Sequence, residues 1–353
     1  MSPAVIAKIN PLKPEEKIIK EAAEVLAKGG LVIIPTETVY GIAANSLNRD
    51  AVKRLCEIKQ RPSDKPFSLH VDDKEKLEEV ARAIPIGAYK LMHKFWPGPL
   101  TMILKSKTEG TVGVRLPDDE VARKVIAYAQ VPVICPSANI SGERPPVDFS
   151  EAIKDLKGLV DFAIDAGETK LKCESSIVDL TSEPAKIVRE GAIKKAAIEA
   201  ALKVKTVLFV CTGNSCRSVM AEALLKKKLR ERERSDVEVI SAGLILLGGL
   251  GPTDGTREVL KSAGIDVSAH RSQRVTKEMV KRSDLILVME KVHEDNILKI
   301  VPEVKNRVFL IKEFAKIEDG DLGVADPIGH SLEFYQKTFG LIKDAVERII
   351  NII

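Results

Sequence analysis

The segment Val207-Leu-Phe-Val-Cys-Thr-Gly-Asn-Ser-Cys-Arg-Ser218 decides the fold of the second half of this 353-residue chain. Its apolar start predicts a strand, and the pattern of residues 219–229 after it predicts a helix. A tight loop between a strand and a helix turns its backbone N–H groups toward one tetrahedral anion. Cys211 and Arg217 supply a nucleophile and a bidentate cation to the same loop. The segment therefore predicts a phosphate-binding loop with a reactive cysteine.

The residues around this loop predict a parallel α/β sheet. Strand-like runs alternate with helical stretches here, at residues 205–210, 237–241, 285–288 and 307–310. Asp326 precedes a proline, which favours extended or turn backbone, so its carboxyl group can reach a cleft as a general acid. The hydroxyl of Ser218 can donate to the Cys211 thiolate, while Gly213 and Asn214 suit the positive φ angles of a tight loop.

The second half resembles the low-molecular-weight protein-tyrosine phosphatase family over residues 205–353. Residues 211–218 are similar to its phosphate loop, and further family segments fall at 241–243, 264–266, 270–271 and 283–289. The resemblance implies a doubly wound, four-stranded parallel sheet. It implies that Cys211 is the nucleophile, that Arg217 binds the phosphoryl group and that Asp326 acts first as acid and then as base. The remaining phosphate-loop residues are Thr212, Gly213, Asn214, Ser215, Cys216 and Ser218.

Two features bear on the phosphatase substrate. Tyrosine-specific members carry aromatic residues after the Asp-Pro pair, where this chain has Ile328-Gly-His-Ser331. Members that act on phosphoarginine have a small polar residue at the position of Ser215, so we favour phosphoarginine over phosphotyrosine. Related arsenate reductases need cysteines downstream, and none follows Cys216. Cys216 either packs in the loop or traps an oxidised Cys211 as a disulfide.

In the first half, polar residues follow the predicted strands. These residues are Thr36 and Thr38 after strand 31–34, His70 after 67–69, Arg115 after 112–114, and Ser137 and Asn139 after 131–134. Ligands in α/β sheets bind beyond the carboxyl ends of strands, so we expect these groups to converge. Lys59, Arg61 and Lys65 add a basic cluster suited to a polyphosphate. The sequence contains no Gly-x-x-x-x-Gly-Lys-[Ser/Thr] motif, which excludes a P-loop kinase.

The first half resembles the YrdC-like threonylcarbamoyl-AMP synthases over residues 14–192. The matching motifs are Pro35-Thr-Glu-Thr-Val-Tyr-Gly41, Lys59-Gln-Arg-Pro62, Pro136-Ser-Ala-Asn-Ile-Ser-Gly142, 175–179 and 188–192. The resemblance implies a mixed, twisted sheet with helices. It also implies that L-threonine, bicarbonate and ATP with Mg²⁺ give L-threonylcarbamoyl-AMP and pyrophosphate. That product feeds the N6-threonylcarbamoyl modification of tRNA adenosine 37 through a downstream transferase machinery.

The resemblance assigns site residues one by one. Threonine would be bound by Thr36 or Thr38, His70, Arg115 and Ser175. ATP would be bound by Lys59, Arg61, Lys65, Ser137, Asn139 and Arg189. No covalent nucleophile is needed, because the carbamate oxygen attacks the α-phosphorus and catalysis rests on positioning and charge neutralisation.

Composition sets limits on these interpretations. Lys and Arg number 55 against 51 Asp and Glu, so any contact with nucleic acid is local rather than global. No apolar run is long enough to span a bilayer, residues 1–10 lack the apolar core of a secretory signal, and five cysteines form no disulfide framework. These features predict a cytoplasmic protein without a membrane partner.

The sequence predicts two domains with separate activities. We expect a synthase domain over 1–203, ending in a linker helix at about 192–203, and a phosphatase domain over 204–353. Two other interpretations stay open at this point. The first domain could be an RNA-binding module without catalysis, and the second could be a phospho-sensor, although a sensor has no use for a nucleophile and a general acid together.

Overall fold

The structure is a computed structural model that describes residues 4–60, 67–245, 249–317 and 320–353. The chain forms two compact units, Met1–Leu202 and Lys203–Ile353. Throughout the described ranges, the helices are too short or too polar to cross a membrane.

Over its described residues, the first unit is built on one mixed sheet of ten strands in the order β1-β8-β2-β3-β7-β4-β6-β5-β9-β10. The strands are β1 (Val5–Lys8), β2 (Val32–Ile34), β3 (Gly41–Asn45), β4 (Leu69–His70), β5 (Leu100–Lys105), β6 (Thr111–Arg115), β7 (Val133–Ile134), β8 (Phe162–Asp165), β9 (Ser176–Asp179) and β10 (Lys186–Arg189). The helices are α1 (Glu16–Ala27), α2 (Arg49–Ile58), α3 (Leu77–Val80), α4 (Ile86–Phe95), α5 (Glu120–Ala129), α6 (Phe149–Lys154) and α7 (Lys195–Lys203). The prediction of a mixed sheet with helices is confirmed.

Local sequence explains most of these elements. Helix α1 buries Ile19, Ala22, Ala23 and Leu26, which share one face at helical spacing. Within residues 75–83 only Leu77–Val80 is helical. The helix stops because Ala81 is extended and bridges to Ser106.

The second unit contains four parallel strands in the order β12-β11-β13-β14. They are β11 (Lys205–Cys211), β12 (Val237–Gly243), β13 (Leu285–Val288) and β14 (Val308–Leu310). The helices are α8 (Arg217–Glu231), α9 (Asp254–Ser262), α10 (Lys277–Arg282), α11 (Lys291–Ile300), α12 (Ile311–Phe314) and α13 (Leu332–Ile349). The predicted four-stranded parallel sheet is confirmed.

Strand β11 positions the second site. Its side chains alternate between the two cores of the unit, with Val207 and Phe209 in one and Leu208 and Val210 in the other. The chain enters the sheet at β11, and the next strands then add on opposite sides of it. The carboxyl end of β11 is therefore the topological switch point of the sheet, where α/β folds bind their ligands.

Candidate active sites

The phosphate loop joins β11 to α8 and brings the Ser218 hydroxyl and the backbone N–H of Asn214 to the Cys211 sulfur. The Oγ of Ser218 lies 3.0 Å from the Cys211 Sγ, and the backbone N–H of Asn214 donates to the same sulfur at 3.3 Å. Asn214 has a φ of +52°, as predicted. The prediction of a positive φ was wrong for Gly213. The loop turns at Asn214 alone, so Gly213 does not need the left-handed conformation.

Asn214 is fully buried, and its side chain ties the loop to β12 and α8. Its Nδ2 donates to the hydroxyls of Ser218 (3.0 Å) and Ser241 (2.7 Å), and its Oδ1 accepts the backbone N–H of Gln273 (3.0 Å). The Nε2 of His270 lies 2.9 Å from the backbone carbonyl oxygen of Asn214. These bonds use every polar atom of the Asn214 side chain, so the loop conformation is fixed before an anion binds.

Gly243 lies at the end of β12 and is in contact with the same loop. A Cβ at this position would lie 2.9 Å from backbone atoms of Thr212, Gly213 and Asn214. The absence of a side chain therefore lets the strand end approach the loop. The sequence analysis singled out 241–243 as a segment but gave Gly243 no role.

The guanidinium group of Arg217 is almost fully buried and has partners on both terminal nitrogens. Its Nη1 donates to the Glu290 carboxylate and to the carbonyl of Val324 (2.8 Å). Its Nη2 donates to Thr212 Oγ1 (3.1 Å) and to the Asp326 carboxylate. Within the described residues its Nε has no hydrogen-bond partner. The structure thus brings Arg217 and Asp326 into direct contact, and it adds Glu290, which the sequence analysis missed.

Ser215 and Cys216 lie at the side of the loop that faces α9 and α13. The Cys216 Sγ lies 3.3 Å from Thr253 Oγ1 and 3.7 Å from the Tyr335 hydroxyl. The Ser215 Oγ lies 3.6 Å from the Cys216 sulfur, and Ser215 is half-buried. Cys216 is buried and is a free thiol in this structure, as are the other four cysteines.

The first unit contains a cavity of about 590 Å³ that gathers most of the residues predicted for it. The predicted residues that line it are Thr36, Lys59, His70, Arg115, Ser137, Asn139, Ser175 and Arg189. Thr38 is fully buried beside it and bonds to Thr36 (2.8 Å). Arg61 and Lys65 lie outside the described residues.

Strands β4 and β7 run antiparallel, so His70, the last residue of β4, and the polar residues after β7 leave the sheet in opposite directions. They still line one cavity because each strand is only two residues long. His70 pairs with Val133 and Leu69 with Ile134, so the end of one strand lies one residue from the end of the other.

One end of this cavity is formed by Arg115 and the segment after β2. The Arg115 Nη2 donates to Glu37 Oε1 and Thr38 Oγ1, both at 2.8 Å. Glu37 and Arg115 are both buried. Burial, with a smaller contribution from the Arg115 charge, lowers the pKa of His70 to about 3, so His70 is neutral at physiological pH. The sequence analysis missed Glu37, although it lies inside the motif that was quoted for its neighbours.

The other end is formed by Lys59 and the loop after β7. The Lys59 Nζ donates to the carbonyls of Ser137 (2.9 Å) and Asn139 (2.7 Å) and to Asn139 Oδ1 (2.8 Å). The Ser137 hydroxyl donates to the same Oδ1 at 2.6 Å. A weaker contact of 3.4 Å joins Nζ to the Ser137 hydroxyl, so the buried ammonium group holds the loop in place through backbone and side-chain oxygen atoms.

Arg189 and Ser175, which were predicted for different ligands, contact each other. The Arg189 Nε donates to the carbonyl of Ser175 (2.9 Å), its Nη2 to the Ser175 hydroxyl (3.1 Å) and its Nη1 to the Glu174 carboxylate. Thr101 Oγ1 lies 3.0 Å from the Ser175 hydroxyl. Neither Glu174 nor Thr101 was singled out from the sequence.

Comparison with known proteins agrees with the division into two units. The family model Sua5_yciO_yrdC, described as "Telomere recombination", matches residues 24–191, and the model described as "Low molecular weight phosphotyrosine protein phosphatase" matches residues 206–353. A putative threonylcarbamoyl-AMP synthase of Methanocaldococcus jannaschii is 37% identical over 197 residues, which are 53% of this chain and 93% of that protein. A protein-arginine-phosphatase of Geobacillus stearothermophilus is 38% identical over 143 residues, which are 40% of this chain and 92% of that protein.

The chain belongs to both families, one in each unit. The synthase-family unit is also 43% identical over 194 residues to the threonylcarbamoyl-AMP synthase of Pyrococcus abyssi. These residues are 52% of this chain and 57% of that protein, and the chain likewise spans 58% of the Bacillus subtilis synthase. A crystal structure of P. abyssi Sua5 complexed with L-threonine has a TM-score of 0.54 and 25% identity, covering 98% of both chains.

Proposed function

We propose that this chain is a bifunctional enzyme with one activity in each unit. The synthase-family unit makes L-threonylcarbamoyl-AMP and pyrophosphate from L-threonine, bicarbonate and ATP. The phosphatase-family unit hydrolyses a phosphorylated protein through a phosphocysteine. The first activity rests on the cavity that gathers the predicted polar residues of seven separate segments. The second rests on the contact between Arg217 and Asp326 beside the Cys211 loop.

In the synthase-family unit, Arg115 would bind the threonine carboxylate. The neutral His70, a hydroxyl of Thr36 or Thr38, and Ser175 would bind the rest of the amino acid. The threonine amine and bicarbonate condense to a carbamate with loss of one water molecule. A carbamate oxygen then attacks the α-phosphorus of ATP, and the bond to pyrophosphate breaks. The residues proposed for ATP are Lys59, Arg61, Lys65, Ser137, Asn139 and Arg189.

The proposed Mg²⁺ accompanies ATP. Among the residues that the structure describes, no group of three or more His, Cys, Asp or Glu side chains could hold a metal ion. The oxygens of the triphosphate are the hard ligands that Mg²⁺ prefers, so the ion would arrive as the ATP complex. The proposed product then passes to a transferase machinery that modifies adenosine 37 of tRNA.

Threonine-dependent release of pyrophosphate tests the first activity. The full chain is incubated with ATP and bicarbonate, with and without L-threonine, and the Arg115→Ala variant serves as the matched control. Release that needs both threonine and Arg115 supports the proposal. Pyrophosphate release that does not depend on threonine, or RNA binding without pyrophosphate release, favours the alternative of an RNA-binding module.

In the phosphatase-family unit, the Cys211 thiolate attacks phosphorus. The bond from phosphorus to the leaving group breaks as Asp326 protonates the leaving group. A water molecule then attacks the phosphocysteine while Asp326 accepts its proton, and phosphate leaves as the thiolate re-forms. The Ser218 hydroxyl, 3.0 Å from the sulfur, stabilises that thiolate. Arg217, with the backbone N–H groups of the loop, stabilises the charge on the transferred phosphoryl group.

We propose phosphoarginine as the substrate, with phosphotyrosine as the second candidate. The half-buried hydroxyl of Ser215 and the lack of an aromatic residue in 328–331 support phosphoarginine, and one relative is named a protein-arginine-phosphatase. The description of the matching family model names phosphotyrosine and supports the second candidate. Comparison of kcat/KM on the two phosphopeptides decides between them, with Cys211→Ser as the blank. No activity above that blank on either peptide would favour the phospho-sensor.

A cytoplasmic location is also part of the proposal. All five cysteines are unpaired, which is the usual state of cysteines in a reducing compartment. Fractionation of cells that express the chain tests this.

A further inference from the structure

His293 is a fully buried histidine in the first turn of α11, and neither the sequence analysis nor the proposed mechanism uses it. Its Nε2 lies 2.9 Å from Thr212 Oγ1, and its Nδ1 lies 3.0 Å from the backbone nitrogen of Glu290. A buried histidine with both ring nitrogens bonded is restricted to one orientation. Both of its partners bind Arg217, Glu290 at Nη1 and Thr212 at Nη2.

The hydrogen bonds define the tautomer of this imidazole. A backbone N–H can only donate, so Nδ1 accepts from Glu290 and carries no proton. The proton is therefore on Nε2, which donates to Thr212 Oγ1. Burial, reinforced by the Arg217 charge, lowers the pKa of His293 to about 4, which agrees with a neutral ring at physiological pH.

The Thr212 hydroxyl oxygen thus accepts two N–H groups, from His293 and from Arg217. A hydroxyl has two lone pairs, so both are used and the oxygen has no freedom to turn away from the guanidinium. Glu290 precedes α11 directly, and its backbone is held by the same ring. One neutral side chain therefore fixes a partner of Nη1 and a partner of Nη2.

We propose that His293 is a positioning residue for Arg217, which it holds in place through Thr212 and Glu290. The proposal rests on the proposed phosphatase function and adds a residue that touches neither the phosphoryl group nor the sulfur. Removal of the ring frees the Thr212 hydroxyl and the start of α11, so the guanidinium loses its fixed direction. The expected loss is in anion binding and in transition-state stabilisation alike.

Four variants of the full chain separate this role from a purely structural one. His293→Leu removes both hydrogen bonds, whereas His293→Gln offers one acceptor and one donor in their place. Thr212→Val removes the hydroxyl, and the double variant His293→Leu/Thr212→Val tests whether the two residues act together. Val292→Ala, at an exposed neighbour on the same helix, is the matched control. Circular dichroism establishes that each variant is folded.

The first measurement is the affinity for inorganic phosphate, read as protection of the Cys211 peptide from alkylation in mass spectrometry. This needs no turnover, so it remains informative even if the wild-type chain fails to hydrolyse any phosphopeptide, which would refute the proposed function alone. We expect His293→Leu to weaken phosphate binding about 10- to 100-fold, the range for a buried polar group that loses its partner. His293→Gln is expected to remain within about threefold of wild type.

The second measurement is kcat/KM on a phosphopeptide, where we expect the losses in His293→Leu and Thr212→Val to be non-additive. Three results would overturn the proposal. The first is a phosphate affinity of His293→Leu equal to that of Val292→Ala. The second is a His293→Gln variant that binds phosphate as weakly as His293→Leu. The third is a double variant whose loss of kcat/KM equals the product of the losses in the two single variants.

Discussion

Replacement of Asn214 is the sharpest test of how the phosphate loop is held. Asn214→Gly removes three buried hydrogen bonds, two from Nδ2 and one to Oδ1. At a net value of about 1 kcal/mol each, their loss costs the second unit about 3 kcal/mol. Glycine adopts the φ of +52° without strain, so the hydrogen bonds account for most of this change.

Asn214→Ala loses the same three bonds and adds a backbone cost. A left-handed alanine costs about 1–2 kcal/mol, while glycine gives up about 0.4–1 kcal/mol through the greater freedom of its unfolded chain. We therefore expect Asn214→Ala to be less stable than Asn214→Gly by about 1 kcal/mol. This is the reverse of the usual order, in which alanine is the more stable of the two.

Differential scanning calorimetry of the full chain measures both differences. The transition of the second unit is identified as the one that inorganic phosphate raises, because a ligand stabilises the state that binds it. Phosphatase kcat/KM is measured in parallel and should fall in both variants. The reasoning fails if alanine is as stable as glycine at this position, or if both variants unfold within about 0.5 kcal/mol of wild type, the usual range for a surface change.

Three further predictions concern other residues. Glu37→Gln removes the ionic partner of Arg115, so the KM for threonine should rise about tenfold while the KM for ATP stays unchanged. Equal rises in both KM values would contradict a role of Glu37 in threonine binding. The pKa of His70 is about 3 in the folded protein, against an ordinary value of 6.5. Between these two pH values the unfolded chain binds more protons than the folded one, so the stability of the first unit should fall as pH drops from 6.5 to 3. His70→Gln should flatten that slope in urea titrations, and an unchanged slope would exclude His70 as its source. Gly243→Ala should push the phosphate loop away and lower phosphatase kcat/KM at least about tenfold with pyrophosphate release unchanged, so a fully active variant would refute the close approach.

The nucleophile and the cation of the second site could be predicted from the sequence because they lie close together in the chain. Eight consecutive residues, 211–218, contain the nucleophile, the cation and the loop between them. The strand before and the helix after are both strong local patterns. The groups that the sequence could not show, Glu290 and His293, come from another segment and reach the loop only through the order of the sheet strands. Glu290 binds Arg217, and His293 binds Thr212.

The fold of the first unit was harder to predict in detail. Strand β3 has the sequence Gly-Ile-Ala-Ala-Asn, and glycine and alanine are poor strand formers, so neither propensity nor alternation marks it. It forms because it is fully buried between β2 and β7, which is a tertiary effect. The polar residues of the cavity were named one by one, but their contacts with Glu37, Glu174 and Thr101 depend on strand register and could not be derived from spacing.

The two sites differ in how they hold a negative charge, and this difference predicts how each responds to mutation. In the second unit one loop supplies the backbone N–H groups, so a change elsewhere alters the binding of the negative charge only if it moves the loop or Arg217. In the first unit the cations come from separate elements, Lys59 from the end of α2, Arg115 from β6 and Arg189 from β10. They already bind protein oxygens: Lys59 binds Ser137 and Asn139, Arg115 binds Glu37, and Arg189 binds Glu174. A ligand must share or replace these partners, so their removal changes affinity as strongly as removal of the cations themselves. Substitutions that impair the first site are therefore spread over the whole unit, whereas those that impair the second cluster around residues 211–218 and the segments that contact them.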